Sequence, residues 1–239
     1  MNYVLLLTAT IFPKHVNLLN GRNDPIEREN DYFGAVSFYL SQGFTVVFVD
    51  NSNTFSKKIL SLKTKFDKFE YHSFESVASH LGKSPGEVEI IKYACENSTF
   101  IKEVDYIVKV TGRYIIRNLL NLLSKTNYIE ADIYINPTRN LKWADSRLMI
   151  MKKKYYENYF LKAIDLFLDE DKLVFMEHAY MKSLFLYLID GGELNLLPSY
   201  PFYHGYDGTH NEKIYFSIFK RLKYFVYYKL KRFSFRHRA

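Results

Sequence analysis

Three short polar groups, far apart in the chain, carry side chains suited to a phosphorylated ligand. Thr8 and Thr10 close the apolar run from Tyr3 to Thr10, Asp50, Asn51 and Ser52 follow the run from Phe44 to Val49, and Thr111, Gly112 and Arg113 follow that from Asp105 to Val110. Asp50 and Asn51 can hydrogen-bond a base or ribose, Gly112 lets a backbone approach closely, and Arg113 can hold a diphosphate with a planar fork of donors. Singly, these residues also suit ordinary turns and helix caps. Their conjunction after successive strands is what points to a nucleotide.

Other chemistries find little support. Neither a Walker phosphate loop nor a Gly-x-Gly-x-x-Gly fingerprint occurs, which argues against a P-loop kinase or a dinucleotide dehydrogenase. There is no Gly-x-Ser-x-Gly elbow, and the single cysteine, Cys95, falls inside an expected helix with no neighbouring cation. The histidines are scattered without zinc-ligand spacing.

Strands and helices must bring the polar groups together. The first two apolar runs are nearly continuous, the pattern of strands covered on both faces. Between them Asp24-Pro25 marks a turn, and Tyr32, Ala35, Val36, Tyr39 and Leu40 recur at helical spacing up to Gly43. Strand, helix, strand implies a right-handed parallel crossover. Further strands are expected at Phe69 to His72, Asp105 to Val110, Ile133 to Ile135 and Leu148 to Met151. Helices are expected near Ser56 to Leu62, Pro85 to Glu96, Arg113 to Leu123, Tyr155 to Leu168 and Lys172 to Leu188. The fold class is α/β: an open mixed, mostly parallel, Rossmann-like sheet flanked by helices, with its ligand crevice at the carboxyl ends of the strands.

A chain of 239 residues with 48% hydrophobic residues suits one such domain, placed at 1–211, followed by a tail at 212–239. The lone cysteine and the lack of a leader-like N-terminus favour the reducing cytoplasm. The net charge of +7 is concentrated: nine basic residues stand against Glu212 alone in the tail. The body is close to neutral, so nucleic acid is not the expected partner. On a helical wheel Ile214, Tyr215, Ile218, Phe219, Leu222, Phe225, Val226, Leu230 and Phe233 share a broad face, with Lys213, Lys220, Lys223 and Lys231 opposite and Lys229 as the exception. That composition suits the surface of an anionic membrane, the plainer alternative being a helix packed on the body with a solvated charged face.

The ordered segments resemble the GT-A class of nucleotide-sugar glycosyltransferases, particularly small bacterial enzymes that build capsule, O-antigen or lipooligosaccharide chains. The residues that carry the resemblance are Leu5 to Thr10, Val47 to Ser52, Leu81 to Glu87, Asp105 to Arg113 and Met176-Glu177-His178. It implies that Thr8, Thr10, Asp50 and Asn51 contact the nucleoside of a nucleotide-sugar donor and that the loop from Lys83 to Glu87 lies on the donor side. Thr111-Gly112-Arg113 stands where many such enzymes have an Asp-x-Asp metal site. The sequence departs there, so the expected mechanism is metal-independent, with Arg113, Lys83 and His204 supplying positive charge; manganese or magnesium is the alternative, without its usual ligands. Asp169-Glu170-Asp171 and Glu130-Ala131-Asp132 read as solvated turns.

By the same resemblance Glu177 is the candidate general base for an acceptor hydroxyl, with Asp145 second. The implied acceptor is a lipid-linked glycan, and the implied location is the inner face of the cell membrane, peripherally bound through the tail. Trp143 would stack on a sugar or fill the core. The aromatic, turn-rich segment from Pro198 to His210 reads as a lid whose His204 and His210 reach the diphosphate. A nucleotidyltransferase, and a nucleic-acid-binding module acting through the tail, are the alternatives.

Overall fold

The protein is described here from a computed structural model covering residues 2–14, 21–127 and 131–236, with the side chains of residues 234–236 left aside. His15, Glu130 and His237 lie outside the described residues. The strands are β1 (Tyr3–Ala9), β2 (Val46–Asp50), β3 (Phe69–Ser73), β4 (Tyr106–Thr111), β5 (Ile115–Ile116), β6 (Ile133–Ile135), β7 (Leu148–Lys152), β8 (Leu194–Leu196), β9 (Tyr203–Tyr206) and β10 (Lys213–Ile214). The main helices are α1 (Pro25–Ser41), α2 (Lys83–Asn97), α3 (Leu119–Thr126), α4 (Leu161–Phe167), α5 (Met176–Ile189) and α6 (Ile218–Arg236).

Seven strands form one sheet in the order β8-β6-β7-β4-β1-β2-β3. β3, β2, β1 and β4 run parallel, and β7 is antiparallel to both β4 and β6. The open mixed α/β sheet read from the sequence is therefore the fold. The chain runs outward from β1 through β2 to β3 and then returns to the other side of β1 as β4. The strand order reverses between β1 and β4, and a crevice opens at the carboxyl ends of strands at such a point.

Apolar runs without alternation make these strands because both faces are covered. Leu5 and Leu7 join the core packed on α1 and α3, while Val4 and Leu6 join the core packed on α2 and α5. Helix α1 begins earlier than its apolar spacing predicts. The Asp24 carboxylate accepts the Ile26 and Glu27 amides, and Pro25 occupies the first turn, where its missing N–H costs nothing. Helix α5 begins later, at Met176, because Asp169 caps a short 3₁₀ turn over Glu170–Lys172 and Leu173 then takes a left-handed conformation.

The tail departs most from expectation. Lys213–Ile214 is a strand paired with β9, and α6 starts only at Ile218. Its docking side is polar-aromatic: Tyr224 stacks on Tyr200, Tyr228 is buried, Lys231 donates to the Asn136 side chain and the Pro137 carbonyl, and Arg232 donates to the Pro198 carbonyl. The apolar residues face outward, with Ile218 80%, Phe219 85% and Leu222 62% exposed. The helix is thus packed on the body with Lys220, Lys223 and Lys229 solvated, and its apolar residues are exposed beside them. No helix among the described residues is long and apolar enough to cross a membrane.

Gly112 is needed where β1 and β4 meet. Its amide donates to the Thr8 carbonyl at 2.9 Å, and a Cβ there would lie 2.6 Å from the same oxygen. Gly112→Ala is expected to destabilise the chain by about 2 kcal/mol, measured by urea unfolding. An unchanged midpoint would show that the two strand ends part freely.

Candidate functional site

The crevice between the ends of β1, β2 and β4 is a cleft lined by Thr8, Thr10, Asn51, Lys83, Thr111 and Arg113, joined by Arg28 and Glu87. With Ser52, which also lines the cleft, seven residues singled out in the sequence thus converge from four separate segments. Thr10 donates its hydroxyl to Asn51 Oδ1 at 2.7 Å, and Asn51 Nδ2 donates to the Gly86 carbonyl at 3.2 Å, which ties the ends of β1 and β2 to α2.

Other residues of that set lie elsewhere. Asp50 is wholly buried, and its carboxylate accepts from the Ile11, Ser52 and Thr54 amides and from the Ser52 and Ser73 hydroxyls. Burial pushes its carboxyl up, against those hydrogen bonds. This is a hub that shapes the β2 turn, with no surface turned to the cleft. Gly112 also faces away from the cleft, against β1. His204 pairs with Ile115 in the sheet formed by β5, β9 and β10, outside the cleft lining. The middle of the segment read as a lid, Tyr203–Tyr206, is therefore strand. Only its end, Tyr206 to Thr209, reaches the cleft: the Tyr206 carbonyl accepts from Arg113 Nε at 3.2 Å and the Thr209 hydroxyl from Lys83 Nζ at 3.0 Å.

Four cations line the cleft, and one of them, Lys14, pairs with Glu75 at 2.8 Å. The other three, Arg28, Lys83 and Arg113, make no ion pair among the described residues. Their donors go instead to neutral oxygens. Arg28 serves the Thr10 and Arg22 carbonyls and the Tyr32 hydroxyl. Burial, and then the nearby Arg113 charge, hold the Lys83 ammonium below the ordinary lysine value. A side chain added at Gly208 would strike the Arg113 guanidinium, so this glycine gives the arginine room.

Both carboxylates of the cleft wall are paired, Glu75 with Lys14 and Glu87 with Lys109. The Glu87 pair is close, and the same oxygen, Oε1, accepts from Thr8 at 2.9 Å and Thr111 at 3.4 Å. Lys109 is 1% exposed and also donates to the Ser146 carbonyl at 2.8 Å. Burial alone would raise the Glu87 pKa, but the Lys109 ammonium and its hydrogen bond, followed by the Thr8 hydroxyl, hold it below the ordinary glutamate range. Glu87 closes the loop expected on the donor side, whereas sequence reasoning gives Lys109 no role. The available signal is a lysine inside the apolar strand Tyr-Ile-Val-Lys-Val, which demands a buried acid from another element.

Glu177 lies next to this network, outside the cleft lining. Its Oε1 accepts from the Ser146 hydroxyl at 2.6 Å, and burial raises its pKa against that bond. Asp145 is engaged by Arg147, which donates through Nε at 2.9 Å and Nη2 at 2.7 Å. Trp143 is half-buried, with Arg139 over its ring at 4.1 Å and His178 edge-on at 4.8 Å.

The acidic turns are likewise occupied. Glu170 accepts the Ser84 amide at 2.7 Å and the Lys83 amide at 3.2 Å at the start of α2, a correction to its reading as solvated. Asp132 pairs with Lys152 and accepts from the Tyr187 hydroxyl. Among the described residues no group of three or more His, Cys, Asp or Glu is arranged to hold a metal ion.

No family model matches the sequence, and no curated protein matches it. Among solved structures the chain is similar to a nucleoside-diphosphate-sugar pyrophosphorylase from Vibrio cholerae RC9, at 9% identity and a TM-score of 0.41, over 81% of this chain and 90% of that one.

Lys109→Met removes the partner of a buried carboxylate and is expected to cost about 3 kcal/mol at pH 7. Because the Glu87 pKa is depressed when folded, the pair's stabilisation is complete above the unfolded glutamate value of 4.5 and is lost as pH falls through the folded value. The difference between variant and wild type in urea unfolding should therefore narrow from pH 7 to acid. A constant difference would show that the pair is not the cause.

Proposed function

We propose that the protein is a glycosyltransferase that binds a nucleoside-diphosphate sugar in the β1–β4 cleft and moves the sugar to a hydroxyl of a lipid-linked glycan. One observation carries the donor half: Arg28, Lys83 and Arg113 converge on one cleft and none is held in a direct ion pair among the described residues, Glu87 lying near Arg113 and Asp207 and Glu170 near Lys83. Cations left in that state, in a partly desolvated cleft, favour a ligand with several negative oxygens. A diphosphate supplies them, and the same charges would stabilise it as a leaving group. Manganese or magnesium is a possible addition on the ligand side.

In this reading Thr8, Thr10, Asn51 and Thr111 position the nucleoside and sugar. Asp50 and Gly112 support them from behind. Glu177 is the proposed general base, since burial raises its pKa toward the range where a carboxylate takes a proton usefully. Asp145, held by Arg147, is the less available carboxylate.

The acceptor half rests on α6. Phe219, Leu222, Phe225 and Leu230 are exposed on a helix whose exposed cations include Lys220, Arg221, Lys223 and Lys229. Apolar side chains enter the boundary of a bilayer, and each nearby cation adds about 1 kcal/mol on an anionic leaflet. This face is proposed to dock on an anionic lipid surface, which holds the enzyme beside an acceptor anchored there.

Thermal-shift titration with UDP-glucose, UDP-galactose and GDP-mannose, with manganese or with chelator, tests the donor half. At least one is expected to raise the melting temperature, and Arg113→Gln to weaken it at least tenfold, as befits loss of a charge-assisted hydrogen bond. No shift with any of them overturns the donor assignment. Pyrophosphate release from a nucleoside triphosphate and a sugar phosphate would instead favour the nucleotidyltransferase reading. For the acceptor half, the Phe219→Ser, Phe225→Ser double variant should lose most of its sedimentation with phosphatidylglycerol vesicles while keeping the thermal shift. Equal sedimentation of variant and wild type would remove the membrane assignment.

A further inference from the structure

Of the two carboxylates in the cleft wall, Glu75 pairs with Lys14, and Glu87 has a carboxylate that is only half used. Every hydrogen bond and ion pair it makes goes to Oε1, through Thr8, Lys109 and Thr111, and Oε2 has no partner among the described residues. The side chain is 23% exposed and lines the same cleft as Arg28, Lys83 and Arg113. Three donors from β1 and β4 thus fix the carboxylate in place and leave one oxygen for whatever enters.

We infer that Glu87 Oε2 accepts a hydrogen bond from a hydroxyl of the bound nucleotide sugar, so that Glu87 is a specificity-determining residue of this cleft. The inference rests on the donor-binding reading above and adds which chemical group of the donor is read. A phosphate is excluded as the partner of Oε2, because two anions would repel; the cations take the phosphates and the carboxylate takes a hydroxyl. Lys109 is the positioning residue: it holds Glu87 ionised, and an ionised carboxylate accepts without donating. That distinguishes Glu87 from Glu177. Held low by Lys109, it is a poor proton acceptor and a good hydrogen-bond acceptor. A site with a fixed charged acceptor rejects a ligand lacking the matching hydroxyl, because the acceptor would be desolvated and left unpaired.

The hydroxyl belongs either to the ribose or to the transferred sugar, and a cycle of protein and ligand changes separates the two. The probe is whichever of UDP-glucose, UDP-galactose and GDP-mannose binds the wild type most tightly. Its partners are the analogue with 2′-deoxyribose and analogues lacking one hydroxyl of the hexose. Affinity is measured by calorimetry for wild type and Glu87→Gln. The expected result is a loss of about tenfold or more for the parent donor in Glu87→Gln, the size of a hydrogen bond to a charged group. For one analogue, the variant and the wild type should bind nearly alike. A ribose analogue behaving so assigns Oε2 to the ribose; a hexose analogue assigns it to the sugar.

Glu87→Gln leaves Lys109 buried without its counter-charge, so the Glu87→Gln, Lys109→Met double variant is measured as well. It removes both charges together, and its melting temperature without ligand reports whether it folds. It should show the same selective loss. Equal weakening of the parent and all analogues would make Glu87 a structural residue only and overturn the inference, as would unchanged affinity for the parent. Absence of binding by the wild type to every nucleotide sugar overturns the donor reading itself, and the assignment of Oε2 with it.

Discussion

An ammonium group buried within a sheet must be neutralised where it stands, and that requirement organises the site. Lys109 points from β4 to the side covered by α2 and α5, the side on which Ile107 meets the core. Its charge would be untenable among those residues without Glu87. To deliver Glu87, the first turns of α2 must come down onto the ends of β1 and β4. The pair then gathers Thr8, Thr111 and the Ser146 carbonyl, and the Ser146 hydroxyl brings in Glu177. Five segments of the chain are aligned by one buried pair. The cleft is the space left above it.

Most of the fold was legible because its strands are buried on both faces. Such strands read as unbroken apolar runs, and polar turns between them mark their carboxyl ends, so the convergence of Thr8, Asn51 and Thr111 could be argued from order alone. Local signals failed where a tertiary contact decided the outcome. Asp50 has the look of a ligand-binding carboxylate, but the amides of Ile11 and Thr54 claim it, and those contacts are set by how the chain leaves β1. His204 sits in a turn-rich segment that pairs with β5, a partner some ninety residues earlier.

The tail shows the same limit in another form. A helical wheel orders residues around an axis and cannot say which side meets the body. In α6 Tyr224 and Tyr228 meet it, because Tyr200 offers a ring to stack on and Asn136 and Pro137 offer acceptors for Lys231. Tyrosine combines a broad apolar ring with a polar end, which suits a docking face that also carries hydrogen bonds. The simple aliphatic and phenylalanine side chains are left outside, an arrangement that water alone does not favour.

Anion-binding clefts in α/β folds often use the free amides at a helix start. Here that resource is already committed. Glu170 accepts the Lys83 and Ser84 amides, and Gly82, at φ +135°, gives its carboxylate room that a Cβ would fill. With the helix end satisfied from within, attraction for an anion falls to side chains alone. Arg28, Lys83 and Arg113 are solvated by carbonyls and hydroxyls, which satisfy donors without cancelling charge. The Arg113 charge bears on Lys83 across the cleft, and in the proposed reading an anionic ligand relieves that repulsion. Natural folds concentrate such violations of local stability where they bind and react.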